Sequence, residues 1–132
     1  MVDGRLVLLG LIIGLTFVVA RDLEPARPAA VLARERAADA VLVEVDRAQQ
    51  CRWARRRAYA DTVPSLLFTG GHFMRTALQN ELDIQLEASA DRQVYRLRVI
   101  GDLVDASLER RGADLVRLEV GDRPAPRLAS RC

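Results

Sequence analysis

From Val31 to Tyr59 the chain has no Gly and no Pro, and its apolar residues recur at Ala38, Val41, Leu42, Val45 and Ala48, with Cys51 three further on. Steps of three and four place these positions on one face of a helix. Ala, Leu, Arg, Glu and Gln, the good helix formers, dominate the stretch. Asp39, Glu44, Asp46 and Arg47 fall mostly between the apolar positions, and the pairs Glu35–Asp39 and Arg36–Ala40 run along the outer side. The spacing therefore predicts one helix over 31–59, amphipathic in its second half and roughly 43 Å long, enough to project beyond a small sheet. Pro25 and Pro28 stand before it and Pro64 just past it, where Pro suits a linker or a first turn.

Further on the period changes. Asp61 to Gly71 reads as a turn, a short apolar run and a Gly-Gly break, and His72 to Asn80 as a short helical turn with Phe73, Ala77 and Leu78 on one side. Then Leu82, Ile84, Leu86 and Ala88 alternate with Asp83, Gln85 and Glu87. Tyr95, Leu97 and Val99 alternate with Arg96 and Arg98. Val104, Ala106 and Leu108 follow, then Val116, Leu118 and Val120. Period two marks half-buried strands, and tight turns between four of them predict an antiparallel meander. Its apolar face needs a cover, and the helix face at Val41, Val45 and Ala48 is the large one available. The expected class is α+β: a long N-terminal helix packed on a small four-stranded antiparallel sheet, followed by a Pro- and Arg-rich tail over 121–132.

The first twenty residues form a separate unit. Leu6 to Ala20 is uncharged and apolar. Fifteen residues of helix span about 22 Å, short of the ~30 Å hydrocarbon core. The segment reads as a tilted-little anchor that includes Gly4, as a signal cleaved between Ala20 and Arg21, or as a buried core helix. Gly10 and Gly14 make a GxxxG, which lets two membrane helices approach, though Gly is common in such segments. The division is thus an apolar anchor or signal at 1–20, a linker at 21–30, and the helix-plus-sheet domain at 31–132. Arg21, Arg27, Arg34 and Arg36 after the segment favour a cytoplasmic C-terminal part by the positive-inside count, but long domains translocate largely regardless of such charge. The expected location is the cell membrane, single-pass, with the domain extracytoplasmic.

Composition changes this picture little. Net charge is +2 over 132 residues, too small to imply a polyanion partner by itself. All twenty basic residues are Arg, as in a GC-rich coding sequence. In an exported protein the two cysteines, Cys51 and Cys132, pair; in a reducing compartment they stay as two thiols. His72 follows Gly70 and Gly71 with no second ligand at metal spacing, and no phosphate-binding Gly loop, nucleophile elbow or zinc motif occurs. No catalytic residue, metal ligand, cofactor site or small-molecule substrate is expected, and an enzyme is not the expected class. Arg52, Arg55, Arg56 and Arg57 surround Trp53 near the helix end. Cations there suit the helix macrodipole; the sharper reading is an anionic-surface or nucleic-acid patch with Trp53 stacking on bases.

Three local stretches carry a resemblance: Ala48-Gln49-Gln50, Arg57-Ala58-Tyr59-Ala60-Asp61 with Pro64-Ser65-Leu66-Leu67, and Tyr95-Arg96-Leu97-Arg98-Val99. With Leu11-Ile12-Ile13-Gly14 and the overall layout, the chain resembles a type IV pilin or pseudopilin. The resemblance implies a membrane-anchored structural subunit, a minor pilin or pseudopilin, that works by assembly with other pilin-like subunits or with secretion or pilus machinery. It also implies processing between Gly4 and Arg5. At the N-terminus the chain departs from the family, which carries Phe after that Gly and Glu at the fifth mature position. Arg5 and Leu9 stand there instead. A bundle of such segments would stack unpaired cations in apolar surroundings, which points to a minor subunit rather than a homopolymer. The alternative is an exported or anchored binding module that does not polymerise.

Overall fold

The computed structural model describes residues 28–69 and 72–132. The apolar segment and the Gly4/Arg5 and Ala20/Arg21 positions lie outside the described residues. Among those described, no helix is long and apolar enough to cross a membrane.

Helix α1 spans Ala29–Arg56, 28 residues, about 42 Å. It begins inside the expected linker, because Pro28 takes the N-cap position and its carbonyl accepts from the Val31 and Leu32 amides. It stops three residues short of Tyr59. Arg57 turns left-handed at φ 54°, ψ 31° and its amide returns to the Trp53 carbonyl. Tyr59 and Ala60 therefore lie in the loop after the helix, and both are buried. A 3₁₀ turn over Pro64–Thr69 and helix α2, His72–Gln79, follow. Phe73 and Ala77 of α2 enter the core, but Leu78 is 73% exposed and does not share their face.

The sheet is a meander in the order β1-β2-β3-β4: β1 Asp83–Ala88, β2 Val94–Gly101, β3 Val104–Arg111 and β4 Asp114–Glu119. All three pairings are antiparallel. The cross-strand rows Ala88–Tyr95–Arg110, Leu86–Leu97–Leu108 and Ile84–Val99–Ala106 face α1. Gly101 lies where a Cβ would come within 2.7 Å of Leu82 Cδ2, so its lack of a side chain lets Leu82 close the core. Ala38, Val41, Leu42 and Val45 of α1 complete that core. The α+β arrangement is the expected one.

Positions in β4 and on α1 differ from the periodic reading. In β4 the register passes from Glu109↔Arg117 to Arg110↔Leu115. Val116 is the extra residue of a β-bulge, which breaks the period of two. It is 54% exposed, while Leu118 and Val120 pack inward as expected. On α1, Asp46, Gln49 and Glu35 are buried, although the spacing set Asp46 and Glu35 on the solvated side.

Candidate functional site

Asp46 organises the buried face. It is reached from three elements: β3 sends Arg110, whose Nε donates to Oδ1 at 2.6 Å and Nη2 to Oδ2 at 2.9 Å. Tyr95 of β2 donates its hydroxyl to Oδ1, and Gln50, one turn along α1, donates to Oδ2 at 2.7 Å. A buried carboxylate is tolerated where charge and hydrogen bonds both meet it. Burial alone would lower the Arg110 pKa, but the hydrogen bond and charge of Asp46 outweigh it, and the guanidinium is held above its usual range. Burial, reinforced by the Asp46 charge, pushes the Tyr95 phenol up. Beside this lock Gln49 bonds both the amide and the carbonyl of Ala60, at 2.9 and 2.8 Å, which fixes the chain as it leaves the helix.

Tyr59 then joins the lock to the end of the domain. Its ring stacks on Trp53, centroids 4.9 Å apart, and tilts against Tyr95 at 4.6 Å. Its hydroxyl donates to the Gly112 carbonyl in the β3–β4 turn, and burial raises its pKa to about 12. Gly112 has φ 58° at the first position of the two-residue turn, a conformation that Gly adopts without strain. Trp53 thus covers the seam between helix and sheet, with one face on Tyr59. Its indole N–H and Arg52 Nε are buried without a hydrogen-bond partner.

The tail runs along α1 in the same direction as the helix. Arg123 bonds Asp39 at 2.7 Å, Ala129 accepts from Gln50 at 2.9 Å, and Cys132 forms a disulfide with Cys51, Cα atoms 4.7 Å apart. The pairing anticipated for exported protein is present and no described cysteine is free.

Of the helix-end residues singled out in the sequence, Arg55, Arg56 and Arg57 are exposed, and Arg52 and Trp53 are half-buried. The fold adds others. Gln93 donates to the Arg57 carbonyl and the Gly112 amide to the Gln93 carbonyl, so the β1–β2 and β3–β4 turns close over the helix end, carrying Arg92 and Arg111. The disulfide carries Arg131. Among the described residues none of Arg52, Arg55, Arg56, Arg57, Arg111 or Arg131 forms an ion pair, whereas Arg92 holds Asp61 at 2.9 Å.

The outer face of the sheet forms a shallow depression of about 460 Å³ lined by Gln85, Glu87, Arg96, Arg98, Ser107 and Glu109. Its charges are matched: Arg96 with Glu109, Arg98 with Asp105. His72 is exposed at the start of α2. No group of three or more His, Cys, Asp or Glu among the described residues can hold a metal ion.

Sequence reasoning missed the Asp46–Arg110–Tyr95 lock, though a signal for it exists. Asp46 stands four residues after Leu42 and three before Gln49 on the apolar stripe, and Arg110 shares parity with Val104, Ala106 and Leu108. An acid and a base each on a core row are candidates for each other. No protein family, curated protein or solved structure matches the chain.

Proposed function

We propose that the chain is a membrane-anchored, pilin-like structural subunit of minor or pseudopilin type, acting by assembly with other subunits. The observation that carries this reading is the one-sided packing of α1. Glu35, Ala38, Val41, Leu42, Val45, Asp46 and Gln49 are covered by the sheet, α2 and the loop after the helix. Leu32, Arg36, Ala40, Glu44 and Arg47, at steps of three and four along the same helix, stay exposed. A long helix clad on one side and bare along the other suits packing against neighbouring helices. The apolar Leu6–Ala20 segment that precedes it supplies the anchor in this reading, and the disulfide suits an oxidising, extracytoplasmic setting.

The test is made in the native membrane. A photo-cross-linking side chain at Ala40 should capture a second subunit bearing an apolar N-terminal helix, while the same probe at Gln85 should not. The protein should also resist carbonate extraction. Recovery of a soluble form beginning at Arg21, with no capture from Ala40, would instead support an exported binding module. Purified protein that grows long homopolymeric filaments would sink the minor-subunit reading.

A further inference from the structure

We propose that the arginine-rich end of the domain binds the phosphate backbone of nucleic acid without reading its sequence. Four segments distant in sequence meet there: the last turns of α1, the β1–β2 turn, the β3–β4 turn and the tail held by Cys51–Cys132. They bring Arg52, Arg55, Arg56, Arg57 and Arg131 together without one ion pair among them, while Arg111, which alternates with inward-facing Arg110 and stands opposite Asp114, turns to the outer face of the sheet. The strands differ: Arg96, Arg98, Arg110 and Arg117 each hold a carboxylate. Two other carboxylates stand near this end. Asp91 accepts from the Ser89 hydroxyl and the Gln93 amide within its own turn, neutral donors that leave its charge in place beside Arg111, and Asp114 stands opposite Arg111 in the β3–β4 pairing. The helix-end arginines still outnumber these carboxylates, and Arg55, Arg56, Arg57 and Arg131 are exposed.

A planar fork matches phosphate oxygens two at a time, and several forks on one surface match a polymer of phosphates. Other anionic occupants fit less well. This end lies about 42 Å of helix away from where the chain enters α1, so an anchored domain holds it off its own membrane; that exclusion rests on the anchored reading above. At the opposite end of the domain Glu81 and Asp102 are already drawn to Arg34 of their own chain, at 3.8 and 3.5 Å, which leaves them less available to the arginines of a second copy. Trp53 is stacked on Tyr59 and lies beside Gly112, so it offers no open platform for bases. Binding is therefore electrostatic, with no preference for single strands.

The full chain in nanodiscs of zwitterionic lipid is titrated into labelled duplexes of two unrelated sequences and into a single strand, with anisotropy as the readout. Both duplexes should bind alike and the single strand no more tightly, with affinity falling about 100-fold from about 50 to 200 mM salt if about four phosphates are engaged. Arg55→Ala/Arg56→Ala should weaken both duplexes equally and lower the salt slope by about 1 per arginine. Arg36→Ala/Arg47→Ala, which removes the same charge from the bare side of α1, should leave affinity unchanged. Absence of duplex binding at the lower salt overturns the proposal. So does equal loss in the two double variants, tighter binding to the single strand, or capture of phosphatidylglycerol vesicles or a second copy in place of duplex. Carbonate extraction of the same protein reads the anchor separately. A chain that is extracted yet binds duplex through Arg55 and Arg56 overturns the anchored reading alone, and a retained chain that ignores duplex overturns this proposal alone.

Discussion

Arg110 and Arg98 lie on adjacent strands, and each grips an aspartate with the same fork. Arg98 Nε and Nη2 reach Asp105 at 3.1 and 2.7 Å; Arg110 reaches Asp46 at 2.6 and 2.9 Å. Their surroundings differ. The outer pair is 52% and 53% exposed, the inner pair 7% and 0%. Outside, the hydrogen bond and charge of Arg98 hold Asp105 below the usual carboxylate range, yet water screens the pair and two long side chains lose freedom. Inside, water is absent, so neither partner can be lost without leaving the other charge buried and alone. The same chemistry serves as surface decoration in one place and as the joint between helix and sheet in the other. Burial, rather than pair geometry, sets the difference.

The largest effect expected is from Asp46→Ala, which strands Arg110 and Tyr95 and should lower unfolding free energy by about 3–5 kcal/mol in urea melts. Replacing both partners with apolar residues, Asp46→Leu with Arg110→Met, should recover most of that loss. A loss for Asp46→Ala no larger than at the outer pair would erase the contrast.

Next is the disulfide, which ties the tail to the same stretch of helix, with Gln50 bonded to both Asp46 and Ala129. With a sequence separation of 81, its removal by Cys51→Ser/Cys132→Ser should destabilise by up to roughly 4 kcal/mol in the chain-entropy model. An unchanged urea midpoint would show that the tail is held by its other contacts alone.

The third is a pH titration that addresses only the inner face. Tyr59 and Tyr95 are the two tyrosines of the chain. Burial raises Tyr59 from 10.0 to about 12 and raises Tyr95 as well. A raised acid is stabilising while neutral, so this contribution is complete below pH 10 and is lost as pH climbs through the folded-state values. Tyrosinate absorbance should therefore rise together with loss of structure, as one step above pH 10. Ordinary ionisation near pH 10 in the folded protein would contradict the buried lock. The smallest effect is Arg98→Gln on the outer face, about 0.2–1 kcal/mol and weaker in high salt.

Much of the fold was legible in local patterns. Steps of three and four marked the α1 face and alternation marked the strands, because each pattern reports burial averaged along one element. The helix end at Arg56 was not legible, because Arg57 takes a left-handed conformation that the sequence alone does not assign to it. Nor was the bulge at Val116, because an extra residue leaves composition unchanged and shifts only the pairing. At the candidate site Arg52, Trp53, Arg55, Arg56 and Arg57 were visible as a cluster, but Arg131 joins them only through the disulfide.

The sequence by itself determined the order and type of the elements and which rows were mostly apolar. It left Asp46 between the apolar positions of the helix, 64 residues from Arg110. Only the tertiary structure decided that they meet, that Tyr95 and Gln50 complete their hydrogen bonds, and that the helix-end arginines stay unpaired. Periodicity is a property of one segment and its average environment. Whether a charge is screened, satisfied or stranded depends on which distant segment arrives beside it and whether water leaves.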